Sequence, residues 1–348
     1  LVGLGGGWAL SYLWARSLAA GLRLVREMRF GWAQVGDRLQ ERFTLINAGW
    51  AAALWVELVD HSDLPGYAVS RVTGLGSTDT TRWRTHGVCM HRGMFTIGPT
   101  SLRTGDPFGL YNVTLHYPQT TALMVVPPIV PLPSIEIAPG GRAGEGQRSR
   151  PDPFERTVGA AGIRDYQPGD NPSWIHWPIS AHRDALYVRL FDSMPTSDWW
   201  IFLDLDQGVQ RGQGWDSTEE HGVMLAASLA DQGLRRGRAV GLVAHGQELV
   251  WLPPGGRSRG GAGKRLEILR ALASVAPGTT PLDELFRGQV GRSAFKHRPS
   301  LVVITPDVRG RWVEALLNLM WQGAVPTVLL LDPRSFGDPG AGDPAALL

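Results

Sequence analysis

Between Phe30 and Pro128 apolar and polar positions alternate over short runs. Phe43 and Leu45 alternate with Arg42 and Thr44, Leu54, Val56 and Leu58 with Trp55 and Glu57, and Tyr111, Val113, Leu115 and Tyr117 with Asn112, Thr114 and His116. A period of two sends successive side chains to opposite faces, so each run predicts a strand with one buried face. Turn residues at Asn47 to Gly49, Leu64 to Gly66 and Thr104 to Pro107 punctuate the runs. Strands at this spacing predict an all-β sandwich of immunoglobulin-like type over residues 30–128, without a disulfide.

From Asp198 the pattern changes. Trp199 to Leu203 is continuously apolar and ends in Asp204, as expected of a buried parallel strand that delivers an acid at its carboxyl end. Ser217 and Glu220 have capping-box spacing and predict a helix running to about Arg236. Strands follow at 239–244, 247–252, 301–305 and 325–331. A helix is predicted at 264–275, and another carries Trp312, Ala315, Leu316, Leu319 and Met320 on one face. Residues 196–335 therefore predict a doubly wound α/β domain with a mostly parallel sheet, whose ligands belong at the carboxyl ends of its strands. Residues 336–348 read as a tail, and 129–195, rich in Pro, Gly and Arg and without a period up to about 160, as a linker.

Leu1 to Ala15 is apolar and uncharged, and Arg16, Arg23, Arg26 and Arg29 follow with Glu27 as the opposing charge. Residues 1–29 read as the truncated end of a membrane helix with a basic juxtamembrane segment, which puts the rest of the chain on the cytoplasmic side. The competing readings are a signal peptide, whose charges would lie on the wrong side, and an amphipathic surface helix. Over the whole 348 residues, 34 Lys and Arg against 32 Asp and Glu give a net charge of +2, which argues against a nucleic-acid-binding protein. The single cysteine, Cys89, excludes an internal disulfide and a Cys-based structural zinc site.

The stretch from Gly162 to Arg183 is the densest in special residues. Pro168, Gly169 and Asp170 predict a tight turn, and Arg164 and Arg183 flank it with Asp165 and Asp170 in reach of a forked guanidinium pair. Trp174 and Trp177 are expected as packing anchors, and the segment as a brace between two domains rather than a catalytic element. Arg164, Tyr166, Gly169, Asp170, Ile175, Trp177, Ala181 and Arg183 resemble the signature of domain-of-unknown-function family 58, DUF58, with Ser173 standing where the family usually has arginine. Arg92-Gly93, Gly98-Pro99 and the run Asp106 to Leu110 resemble further family features in the same order. The resemblance implies a membrane-associated protein with a von Willebrand factor A-like domain and a MoxR-type AAA+ ATPase as partner.

Von Willebrand A domains hold Mg²⁺ at the sheet edge through hydroxyl and carboxylate oxygens. The corresponding positions here are Asp204, Asp206, Thr279 (or Thr280) and Asp307, and Gly208 offers no side chain where a serine would stand, so the set is incomplete and no cofactor is expected. Acids converging without a cation repel one another unless Arg, Lys or backbone amides neutralise them. His86, Cys89 and His91 do not share one strand face, and the glycines before Lys264 fail the phosphate-loop pattern at Arg265. The expected function is a non-enzymatic membrane-anchored scaffold or adaptor. A metal-dependent hydrolase using the edge acids and an extracellular adhesion module are the alternatives.

Overall fold

The computed structural model describes residues 2–28, 31–133, 135–140, 160–167, 175–183, 185–191, 198–255, 261–288 and 298–342 as a mixed α/β chain with several separate sheets. Helix α1 (Val2–Gly21) runs directly into strand β1 (Leu22–Met28). Strands β2 (Trp32–Gln34), β3 (Arg38–Asn47), β4 (Ala53–Asp60), β5 (Arg71–Leu75), β6 (Thr80–Val88), β7 (Gly93–Ile97), β8 (Thr100–Gly105), β9 (Asn112–Tyr117) and β10 (Thr121–Val126) follow. They form sheets ordered β1-β3-β6, β2-β10-β7 and β5-β4-β8-β9. Alternation decides which side is buried: Leu39, Phe43 and Leu45 enter a core shared with Leu58, Leu102, Leu123 and Val125, while Gln40 and Arg42 face out.

The segment read as basic and juxtamembrane belongs to this core. Residues 22–28 pair antiparallel with β3 over their whole length, and Arg26 turns inward onto Glu41 and Asp60. Helix α1 buries Ser11, Ala15 and Leu18 on one stripe and exposes Trp8, Leu10, Tyr12 and Leu13 on the other. No helix among the described residues is long and apolar enough to cross a membrane. Gly5 to Gly7 and Arg16 dilute the hydropathy of α1.

Residues 127–133 and 135–140 lie between the two halves as a packed strap. Ile129, Leu132, Ile135 and Ile137 lie on the core of the α/β half. The Val130 amide donates to Ser228 Oγ (3.0 Å) and the Ala138 amide to Thr327 Oγ1 (2.9 Å). The signature stretch then forms its own small unit: β11 (Ala160–Asp165) pairs antiparallel with β12 (Tyr187–Phe191), with α2 (Trp177–Arg183) between them.

The α/β half contains β13 (Trp199–Leu203), the short β14 (Gly212–Gln213) and β15 (Asp216–Ser217), α3 (Thr218–Arg235), β16 (Val240–His245) and β17 (Leu249–Gly255). It continues with α4 (Ala262–Ser274), α5 (Leu282–Arg287), β18 (Ser300–Thr305), α6 (Arg311–Trp321) and β19 (Val325–Leu330). The sheet order is β17-β16-β13-β18-β19, parallel throughout except for β17 at one edge. Trp199 to Leu203 is buried on both faces because helices cover both: α3 and α4 meet Ile201 and Leu203, and α5 and α6 meet Trp200 and Phe202. Ser217 caps α3, its Oγ accepting the Glu220 amide at 3.2 Å.

Candidate functional site

Chain order in the sheet changes direction beside β13, with β16 on one side and β18 and β19 on the other. A crevice at such a switch point is where open α/β sheets bind ligands. Asp204 leaves β13 there and Pro306-Asp307 leaves β18, and the Asp204 amide still donates to the Ile304 carbonyl at 3.0 Å. The Thr305 hydroxyl donates to Asp204 Oδ2 (2.6 Å), and the Asp206 amide donates to Asp204 Oδ1 (3.0 Å). Thr305 Oγ1 in turn accepts the Asp307 amide at 2.9 Å. Asp206 Oδ1 accepts the Gly208 amide (2.9 Å), and Asp307 Oδ1 accepts both the amide (2.9 Å) and Nε (3.0 Å) of Arg309.

A third loop nests against these two. The Gly278 amide donates to the Leu205 carbonyl (2.9 Å), and the Gln207 amide donates back to the Gly278 carbonyl (2.8 Å). Gly278 has to be glycine, because a Cβ there would stand 2.0 Å from the Gly246 carbonyl oxygen. Thr279, next in the chain, is exposed. Beside the acids lies a cleft of about 270 Å³ lined by Gly208, Arg211, Asp307, Arg309 and Asp338, in which Arg211 Nε meets Asp338 Oδ2 at 2.7 Å.

The structure thus brings the loops of Asp204, Asp206, Thr279 and Asp307 to one edge, with the acids engaged by a hydroxyl, backbone amides and a guanidinium. Among the described residues no group of three or more His, Cys, Asp or Glu side chains is placed to hold a metal ion. An octahedral Mg²⁺ needs oxygens free to turn toward it, and both Asp204 oxygens here point at internal donors. Asp204 is thus poorly placed to turn toward that ion, while Asp206 and Asp307 are engaged through Oδ1. Arg309 and its pairing with Asp307 escaped the sequence reading, although a cation two residues after an acid is a local signal for such a pair.

Burial pushes the Asp204 carboxyl up to about 6. Its hydrogen bonds from Thr305 and the Asp206 amide oppose this, while Asp206 and Asp307 add repulsion. The guanidinium of Arg309 is raised, chiefly by its bond to Asp307. Because Asp204 in the folded chain lies above the ordinary carboxylate value of about 4, the folded state holds that proton more tightly. Its contribution is complete below about pH 4 and is lost as pH rises through about 6. The shift corresponds to about 3 kcal/mol. Asp204→Asn is accordingly expected to unfold at higher denaturant than wild type at pH 7.5 and at the same concentration near pH 4. Parallel denaturation curves at both pH values would contradict this.

The signature residues are distributed differently. Ile175 is buried and bridges to Val188, the half-buried Tyr166 donates its amide to the Leu186 carbonyl (2.8 Å), and Arg183 lies over the Tyr187 ring at 5.7 Å. Trp177 is 63% exposed and Ala181 is exposed, so the expected packing anchor at 177 is a surface residue, while Ser180 is the buried position of α2. Gly169, Asp170, Ser173 and Trp174, and the side chain of Arg164, lie outside the described residues, as does the turn proposed at 168–170. Cys89 is buried, which raises its thiol, and His86 meets Gln40 at 3.3 Å.

Arg92 of the β half reaches the site's supports. Its guanidinium pairs with Glu219 (2.7 Å) and Glu220 in the first turn of α3, and donates to the carbonyls of Leu272 (3.1 Å) and Val275 (2.9 Å) at the end of α4. One buried arginine therefore holds both the helix that follows the Asp204 loop and the helix that precedes the Gly278 loop.

Residues 162–345, just over half of the chain, match a family described as "Protein of unknown function DUF58". The uncharacterized protein YeaD of Bacillus subtilis is 26% identical over 229 residues, which cover 66% of this chain and 53% of that protein. The uncharacterized protein Rv1480 of Mycobacterium tuberculosis is 25% identical over 185 residues, 52% of this chain and 57% of its own length. The chain spans about half the length of the curated relatives it matches. A chain in the crystal structure of the complex between zinc 2-glycoprotein and prolactin inducible protein from human seminal plasma is 9% identical. It covers 29% of this chain and 92% of its own, and its TM-score of 0.24 carries no argument about the fold.

Proposed function

This chain belongs to the DUF58 family, and from that premise we propose that it is a membrane-anchored, non-enzymatic scaffold or adaptor. In this reading its α/β half is a von Willebrand A-like recognition domain beside an immunoglobulin-like sandwich, and it engages a protein partner on the cytoplasmic side. The observation that carries the proposal is the nest of three loops at the switch point of the sheet, where each acid is held by internal donors. An edge so satisfied has a fixed shape and charge and suits recognition. By family resemblance the partner is a MoxR-type AAA+ ATPase. Membrane association draws support from the exposed Trp8, Leu10, Tyr12 and Leu13 of α1, since aromatic and leucine side chains favour the bilayer interface.

Among the described residues, the raised carboxyl of Asp204 favours the hydrolase alternative, because perturbed acids mark proton-transfer sites. Against it, Asp204 is 4% exposed and both its oxygens are occupied, which keeps it from a substrate. The test is retention of a purified MoxR-type ATPase on the full chain in detergent, with and without ATP, alongside calorimetric titration with Mg²⁺ and Mn²⁺. Nucleotide-dependent retention that persists in chelator and is lost on charge reversal of Arg309 is expected. Micromolar metal binding that disappears in Asp204→Ala, or absence of any retention, would overturn the proposal.

A further inference from the structure

The outer face of the β1-β3-β6 sheet carries a concentration of arginine that the fold does not require. Strand pairing sets Arg42 directly opposite Arg84, with Arg82 opposite Thr44 and Glu27 opposite Arg42. Arg23, Arg42, Arg82 and Arg84 are all exposed. Like charges placed directly across an antiparallel pair destabilise it, and threonine or glutamine would satisfy the same alternation. The one acid among them, Glu27, stands 3.9 Å from Arg42 with both side chains more than half exposed, an ion pair of little strength. Two open troughs of about 490 and 600 Å³ run between these side chains, and both are lined by Arg42 and Arg84. In a chain whose net charge is only +2, this face is a local excess.

The chemistry of the face narrows its partner. Single-stranded nucleic acid needs aromatic platforms on which bases stack. The aromatic side chain of β6, Trp83, is stacked on the buried Phe43 (5.4 Å between centroids, 7° between planes) and covered by Arg71 at 5.5 Å. A bilayer-binding face couples its basic residues to Trp, Phe or Leu, whereas the exposed large apolar side chains here are Val25 and Val88. Arg82 and Arg84 lie two residues apart on one strand, a spacing of about 7 Å. Alternate residues of an extended peptide repeat at that same distance.

We propose that this face docks an extended acidic segment of a partner protein, with Asp or Glu at alternate positions forking onto Arg82, Arg84 and the opposed Arg42. The guanidinium fork matches carboxylate geometry, and a bound carboxylate between Arg42 and Arg84 relieves their repulsion. The surface is separate from the loop edge described above, so the two can be tested independently.

The experiment is fluorescence anisotropy of a labelled peptide of alternating Glu and Ser with the full chain. Single-stranded oligothymidylate and phosphatidylserine vesicles serve as competing probes. The acidic peptide is expected to bind with an affinity that falls as salt rises, and to lose about tenfold or more in Arg82→Glu/Arg84→Glu. Arg311→Glu, on α6, is expected to leave binding unchanged. Arg84→Gln is expected to weaken binding while leaving or raising the melting temperature, which separates loss of a ligand from loss of the fold. Equal binding by the double variant, no binding at low salt, or preference for oligothymidylate or vesicles would each overturn the proposal.

Discussion

Replacing Arg92 by alanine is expected to destabilise the chain by about 3–5 kcal/mol, the range for removing one partner of a buried ion pair. The Arg92 side chain is 4% exposed and serves four acceptors at the ends of two helices. Removing it leaves Glu219 and Glu220 adjacent and uncompensated in the first turn of α3. It also leaves the carbonyls of Leu272 and Val275 without this donor at a helix end, where backbone acceptors lack intrahelical partners. The acids should suffer less than the carbonyls, since they sit 22% and 19% exposed near the positive end of a helix dipole. Arg92→Lys should recover only part of the loss, because an ammonium cannot fork to both acids and both carbonyls. Urea unfolding of Arg92→Ala, Glu219→Gln/Glu220→Gln and the triple variant gives the coupling energy directly. Additive effects would show that the contact does not join the two halves. Protease sensitivity of the loops at 204–217 and 276–280 should rise with the loss of Arg92, since both helices that anchor those loops lose the same partner.

Strands and helices of the α/β half are legible wherever one local rule dominates. A continuous apolar run ending in an acid marks β13 and Asp204 together, and the capping box marks the start of α3. Helix α5 is only six residues long, too short to display a period, and it starts after Pro281 without a side-chain cap. The strap at 127–133 and 135–140 is hidden by its Pro and Gly content, although Ile135 and Ile137 alternate as a packed extended segment should. Long-range partners are beyond any local rule. Arg92 and its acids lie 127 and 128 residues apart, and nothing in the spacing of Arg92-Gly93 foretells that meeting. At the edge itself, the chain order told which acids converge, whereas what satisfies each of them depended on Thr305 and on backbone amides that no side-chain motif records. The arginines after α1 part company for a related reason. Counted as charges they read as one membrane flank, and β-sheet alternation turns Arg26 inward and Arg23 outward.

Arg26 sets an effect of similar size that lies wholly inside the β half. Its Nε and Nη2 fork onto Glu41 (2.9 and 2.8 Å), and its Nη1 reaches Asp60 (2.6 Å) and Thr100 Oγ1 (3.0 Å). Tyr67 donates its hydroxyl to the same Glu41 carboxylate, and the guanidinium lies 5.1 Å from the Phe43 ring centroid. The side chains of Glu41 and Asp60 are 0% and 5% exposed, so neither can turn to water. Its acid partners hold Arg26 in its charged form despite burial, and burial together with the bond to Glu41 raises the Tyr67 hydroxyl above its usual range. Arg26→Met should therefore cost about 3–5 kcal/mol, since it abandons two carboxylates in a low-dielectric core. The outcome reverses if the acids go too: Arg26→Met/Glu41→Leu/Asp60→Leu removes all three charges of this network and should recover most of the stability. Hydrogen exchange on the full chain localises the effect, with the amides of β3 and β6 losing protection in Arg26→Met and regaining it in the triple variant. If instead Arg26→Met alone unfolds with an unchanged denaturation midpoint, the network is not what holds these strands together, and the inward turn of β1 contributes by its backbone pairing alone.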